Sequence, residues 1–586
     1  MKNNNSNFRN LLDDRFGMFV HYGIYSAMAG SFEGQEVAKL GEWIQRWLEI
    51  PNKKYEAFGR KHFCPRPDFA QNLVSYAKQA GVKYIVLTSK HHDGFCLFKS
   101  DYTDYSTYEF YGRDICKELA DECKKQGLGL GLYYSHTLDW HEKDAAGNVT
   151  ISSGTSANNR NFWDFPDDNI DFDKYLYGKC FPQVRELLTN YGDLKLIWFD
   201  FPHDITRAQS EELRNLVKSI QPDCLINSRI AHDCNDYESL GDNALPTAPV
   251  GENLECLITL NDTWGYKKND HNWKTPAEVL EIFCRTLASD STLLLNVGPM
   301  GDGSLTPETI DILTRIGEWT QRNGEAIYGE VKGNPFSNIF SWGSVSLKGK
   351  NLYIYPNETA KKEIIINLGE INKIKSVSVI GSEKSVDYEV NDGILKIHLQ
   401  DTDFIAPVYK VEFEEVPHFS KEILQHDDTV NLGVLWASKF QKGKEDSTTE
   451  RLVYEKGPFT STYGTHGLCA NQVCQSDFWT DSNEILCWDV HFAEKGSYNA
   501  TLITAPFEPA EDGCDFILTL GGKSNFIDTK KEKKNIYLSR TKEGNHRESR
   551  DAGVFYIETP GKYKVYLERT PIGKDKRVEI IKLVKI

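Results

Sequence analysis

Between Phe16 and Leu305 short apolar runs alternate with segments of helical periodicity, and this alternation limits the fold more than any other feature of the chain. The runs are Phe16 to His21, Tyr84 to Thr88, Leu128 to Tyr134, Leu194 to Asp200, Cys224 to Asn227 and Thr292 to Asn296. Rich in β-formers and bounded by turn residues, they read as strands. Between them lie helix-like segments, Asp68 to Ala80, Ile115 to Gln126, Phe181 to Asn190, Ser210 to Ile220 and Pro276 to Ser289. Such β-α alternation calls for a parallel sheet, and about 300 residues of it point to a (β/α) barrel. The spacing is uneven and eight clean strands cannot be counted, so the barrel is expected to be irregular.

A chain of 586 residues exceeds one ordinary core. From Glu325 the pattern changes to short runs separated by turns, among them Ser344 to Lys348, Asn351 to Tyr355, Lys362 to Leu368, Ile374 to Ile380 and Ile394 to Leu399. Several alternate apolar and polar, as antiparallel strands do. Val416 to Ser420 reads as a linker. Beyond Gly433 come Trp436, Trp479, Trp488, the turn pair Gly521-Gly522 and a strand over Lys562 to Glu568. The expected fold is α/β: an irregular TIM-like (β/α) barrel over 1–332, then antiparallel β-sandwich domains over 333–415 and 425–586. The last either binds carbohydrate or packs; the residues leave this open.

Composition removes several function classes. A net charge of −17 without a dense Lys/Arg block argues against nucleic acid as partner. The 13 cysteines lack paired spacings, and Cys469 with Cys474 has no supporting ligands for zinc, so free thiols in a reducing compartment are expected. No run reaches transmembrane length and the first residues lack a signal-peptide core, so no membrane partner and a cytoplasmic location are expected. The 12 Trp and 28 Tyr suit stacking on sugars, and suit ordinary cores equally.

Chemistry-bearing residues gather where the runs end, the end of a parallel barrel at which active sites sit. His21 closes the first run. Lys90-His91-His92-Asp93-Gly94-Phe95 follows the second, and Tyr133-Tyr134-Ser135 with Asp139-Trp140 the third. Trp198 and Asp200 end the fourth, and Arg229 follows the fifth. Each has a plain structural alternative. A strand-ending Asp caps turns, an isolated Arg forms surface ion pairs, and a His pair can be a satisfied core pair or two metal ligands. Adjacent strand residues point opposite ways, so His91 and His92 share a site only if the chain bends there.

Several segments together resemble the α-L-fucosidases of glycoside hydrolase family 29. They are Phe16-Gly17-Met18-Phe19-Val20-His21-Tyr22-Gly23, Gly41-Glu42-Trp43, Lys90 to Phe95, Tyr133-Tyr134-Ser135, Trp198-Phe199-Asp200, Trp264-Gly265-Tyr266, Leu293 to Pro299 and Gly317-Glu318-Trp319. The likeness runs through about the first 330 residues and leaves the third region uncovered. It implies a retaining exo-α-L-fucosidase acting on fucosylated oligosaccharides or glycans, with Asp200 as nucleophile. It implies Glu255 as acid/base, with Glu252 in reserve and Glu238 third. It implies His21, Glu42, Trp43, His91 and His92 around the fucose, and Tyr133, Trp198 and Arg229 lining the site, Arg229 keeping Asp200 ionised. No metal and no cofactor are expected. The rival expectations are an α-L-galactosidase on the same fold and a carbohydrate-binding protein on a decayed scaffold.

Overall fold

A computed structural model describes residues 11–586, apart from Lys39, 151–155, Asp168, 247–248, 250–253, 358–359, 361, 370, 421, 443–449, 452–470, 473–482, 505–514, 529–533, 538–545 and 571–577. Glu252, Trp479, Cys469 and Cys474 therefore lie outside the described residues. The chain divides into two compact units. The first comprises Met1–Asn243, Glu252–Val279 and Thr292–Gln321; the second comprises Ala244–Gly251, Leu280–Ser291 and Arg322–Ile586.

Eight parallel strands build the barrel: β1 (Phe16–Val20), β2 (Tyr84–Lys90), β3 (Gly129–Ser135), β4 (Leu196–Asp200), β5 (Leu225–Ile226), β6 (Glu238–Ser239), β7 (Leu254–Thr259) and β8 (Ser291–Val297). Their spatial order follows the chain, β6-β7-β8-β1-β2-β3-β4-β5, and a parallel bridge between Asn227 and Tyr237 joins the two ends. β2 and β8 are buried along their whole length, so they read as apolar runs and not as alternating ones. Phe19, Tyr84, Val86, Tyr133, Leu196, Trp198, Leu225, Leu257 and Leu294 belong to one buried cluster drawn from seven of the strands.

The irregularity has a location. Helices Ile115–Gln126, Phe181–Asn190 and Arg207–Ile220 follow β2, β3 and β4. Asp114 caps the first of these by accepting from the Lys117 amide, and Gly127 ends it at φ 78°. Among the described residues between β5 and β7 there is no helix beyond the single turn Ser228–Ile230. A stretch that elsewhere in the barrel would carry two helices is reduced to short connections, and it holds Arg229.

The second unit contains antiparallel sheets. One runs Gly343–Lys348, Asn351–Pro356, Tyr409–Phe413, Ile374–Val379 in spatial order, beside a three-stranded sheet of Glu363–Asn367, Ile394–His398 and Tyr388–Asn391. A second pair of sheets includes Glu484–Phe492, Gly496–Thr504, Phe516–Leu520, His546–Ile557, Gly561–Arg569 and Val578–Lys585. The two regions touch: His426 Nδ1 accepts from the Asn367 amide at 2.9 Å, and Asn431 Nδ2 donates to Ile339 O at 2.7 Å. Among the described residues no helix is long and apolar enough to cross a membrane.

Candidate active site

Asp200 ends β4 with both carboxylate oxygens engaged. Arg229 Nη1 donates to Oδ1 at 3.0 Å and the Tyr133 hydroxyl to Oδ2 at 2.8 Å. Burial pushes the carboxyl up, but the Arg229 charge and the hydrogen bonds from Arg229 and Tyr133 outweigh it and hold Asp200 below the usual carboxylate range. It is held as a carboxylate. Trp198, two residues earlier on the same strand face, stacks on Tyr133 at 5.6 Å, and the Arg229 guanidinium lies 4.8 Å over its ring.

The backbone after Asp200 is held in a rare conformation. Phe201 has φ 59°, a left-handed geometry that costs a side-chain-bearing residue roughly 1–2 kcal/mol. Two side chains from just beyond β3 fasten it: His136 Nδ1 donates to Asp200 O at 2.8 Å, and the Thr137 hydroxyl donates to Phe201 O. The Phe201 ring packs 5.4 Å from His92 and 6.1 Å from Trp43.

His91 and His92 do face one site. β2 ends at Lys90 with an irregular register against β3, and Gly94 at φ 77° completes the bend, bringing the two rings to 4.1 Å. Beneath them Lys90 and Lys179 pair with the buried Asp139 at 2.9 and 3.0 Å. The Ser135 hydroxyl gives its proton to Leu138 O, so it accepts from His92 Nδ1 at 2.7 Å. That assigns the Nδ1–H tautomer and leaves His92 Nε2 a lone-pair acceptor, 3.7 Å from Asp200 Oδ2. Burial, reinforced by neighbouring cationic groups, lowers the pKa of both histidines well below the usual range. His21 is likewise neutral, its pKa pulled down to about 4 by burial, and its Nδ1 meets Asn296 Oδ1 at 2.7 Å.

Glu42 lies in the same pocket region. Its Oε2 accepts from Thr263 Oγ1 at 2.9 Å and from the Gly265 amide at 3.0 Å, while Oε1 is buried without a hydrogen-bond partner among the described residues. Burial lifts its pKa to about 7. Gly265 admits this approach because a Cβ there would meet the Tyr25 ring at 2.8 Å. Trp43, next in sequence, packs edge-on to His92 at 5.1 Å and stacks on Trp47 at 5.6 Å. Glu42 Oε1, His91 Nδ1 and His92 Nε2 thus present polar atoms without protein hydrogen bonds, the equipment for binding sugar hydroxyls. Among the described residues, no three His, Cys, Asp or Glu side chains gather as a metal-binding group.

The structure places Glu255, the acid/base that the resemblance implies, inside the barrel. Glu255 lies on β7 in register with Ser239 and is 0 % exposed. Its Oε2 accepts from Trp198 Nε1 at 2.8 Å and from Ser239 Oγ at 3.0 Å. A carboxyl enclosed in the barrel interior and committed to an indole is poorly placed to protonate a leaving oxygen. Glu238 engages Asn235 Nδ2 at 3.0 Å. A further acid, one that the sequence reading did not single out, shares a partner with Asp200. Arg229 Nη2 donates to Asp242 Oδ1 at 2.6 Å, so one guanidinium carries both Asp200 and Asp242, whose side chains are 16 % and 20 % exposed. Asp242 sits in Gly241-Asp242-Asn243, with no strand end to mark it; only the second branch of Arg229 does.

Comparison with known proteins identifies the family. The family model for alpha-L-fucosidase matches residues 2–325. An alpha-L-fucosidase from Vibrio sp. strain EJY3 shares the fold over 99 % of this chain and 98 % of its own, with TM-score 0.79 at 23 % identity. Alpha-L-fucosidase isoenzyme 1 from Paenibacillus thiaminolyticus is 30 % identical, with TM-score 0.62, over 70 % of this chain and 99 % of its own. An alpha-L-fucosidase from Lactobacillus casei, solved with its alpha-L-fucose product, is 37 % identical over 55 % of this chain and 100 % of its own, with TM-score 0.51. The chain belongs to the alpha-L-fucosidases, glycoside hydrolases of family 29.

Proposed function

We propose that this enzyme removes terminal α-L-fucosyl residues from oligosaccharides or glycoconjugates by double displacement, with Asp200 as nucleophile and Asp242 as acid/base. The observation that carries the reading is the Arg229 guanidinium shared by the two part-exposed carboxyls. Asp200, held ionised, attacks the anomeric carbon and forms a glycosyl-enzyme; Asp242 protonates the departing oxygen and then takes a proton from the incoming water. Glu42, His91 and His92 take the sugar hydroxyls, and Trp43 offers an aromatic face for the fucose methyl. His21, fixed by Asn296, completes that wall. The Lactobacillus casei enzyme has also been solved with Fucα(1,6)GlcNAc, which supports a fucosylated N-acetylglucosamine among the natural substrates here.

The test is hydrolysis of an aryl α-L-fucoside and of a fucosyl disaccharide by wild type, Asp200→Ala and Asp242→Ala, with and without azide. Asp200→Ala is expected to lose both substrates and to yield β-fucosyl azide. Asp242→Ala is expected to lose the disaccharide by about 10²–10⁴-fold, to keep more of the activated aryl substrate, and to give an azide product of retained configuration. Undiminished disaccharide turnover in Asp242→Ala would remove it from the mechanism. Preference for an α-L-galactoside would reassign the sugar.

A further inference from the structure

Glu255 is a buried acid for which this mechanism has no use. A carboxyl in a barrel interior is costly, on the order of several kcal/mol when ionised, so its presence calls for a reason. The hydroxyls of Tyr84 and Tyr237 lie near enough to interact with it, and its Oε2 takes the Trp198 indole N–H. An indole has one N–H, so a single acceptor sets the rotation of the ring. That ring touches both groups that hold the nucleophile: Tyr133 stacks on it with an interplanar angle of 17°, and Arg229 lies over its face.

We propose that Glu255 is a positioning residue for the nucleophile: by holding the Trp198 indole it fixes the surface against which Tyr133 and Arg229 rest, and through them both oxygens of Asp200. The inference rests on Asp200 being the nucleophile. Burial raises the Glu255 pKa to about 7, and either protonation state keeps an oxygen that accepts from the indole. Glutamine can therefore replace it; a hydrocarbon cannot.

The experiment compares Glu255→Gln, Glu255→Leu, Trp198→Phe and the double variant Glu255→Leu/Trp198→Phe. Displacing reacting groups by an ångström costs about 100-fold. Glu255→Gln is expected to stay within about fivefold of wild-type kcat/KM. Glu255→Leu should fall about 100-fold, mostly in kcat, equally for aryl fucoside and disaccharide and without azide rescue. Trp198→Phe should show a similar loss, and the double variant little more than either single one. Three results overturn the proposal: wild-type kcat in folded Glu255→Leu, multiplying losses in the double variant, or a loss confined to the disaccharide and restored by azide. The last would make Glu255 the proton donor. If Glu255→Leu does not fold, Trp198→Phe decides, since wild-type kcat there also overturns the proposal. Failure of the nucleophile assignment would appear separately, as turnover retained in Asp200→Ala.

Discussion

The mouth of the barrel and the core of the C-terminal sheets are both buried, yet they are built on opposite plans. Around Asp200, His21, Glu42, His91 and His92 are each at most 5 % exposed, several with polar atoms lacking a protein partner. In the sheets over 423–583 the core is Val430, Leu432, Trp488, Phe492, Leu518, Phe555, Val565, Leu583 and their like. There the Trp488 N–H is satisfied by Gly433 O at 2.8 Å, and the buried charges Glu548 and Arg550 pair at 2.7 Å. Satisfied polar groups stabilise a core; unsatisfied ones destabilise it and are kept where a ligand will meet them. The contrast separates the part of the molecule shaped for substrate from the part shaped for stability.

Substitutions can break or sharpen that contrast. Asp200→Asn should lower kcat/KM by about 10⁴-fold or more while the protein stays folded, measured by aryl-fucoside turnover beside a thermal melt. Loss of folding in step with activity would break the contrast. Trp488→Ala should do the reverse, destabilising its core by about 3–5 kcal/mol in denaturant titration while turnover per folded molecule is unchanged. A smaller effect tests Glu42. Its folded pKa of about 7 exceeds the ordinary value of 4.5, so its stability penalty is absent at low pH and grows as pH rises from 4.5 to 7. Glu42→Gln should therefore gain on wild type across that window, by up to about 3 kcal/mol, and a pH series of melts reads the difference. A constant offset would show that Glu42 does not titrate there.

Six of the eight barrel strands were legible because runs buried on both faces are continuous in sequence. β6 was not, being two residues, one of them Glu238. β7 was obscured by its own oddity, since Glu255 interrupts an otherwise apolar run with a buried acid. The resemblance implies that acid as acid/base; in the structure it is fully buried and accepts from the Trp198 indole. His91 and His92 were placed in one site by the resemblance and not by the strand pattern, because the bend at Gly94 shows in φ and not in hydrophobic pattern. Asp242 was illegible for want of any local signal, since its meaning comes from Arg229 across the site.

The left-handed turn at Phe201 also sets a limit on redesign. Glycine would adopt φ 59° without strain. It would also remove the ring that packs against His92 and Trp43. A stability-guided redesign that relaxed this turn would gain robustness and loosen the wall beside Asp200, and position 201 is where thermostabilising this enzyme should stop.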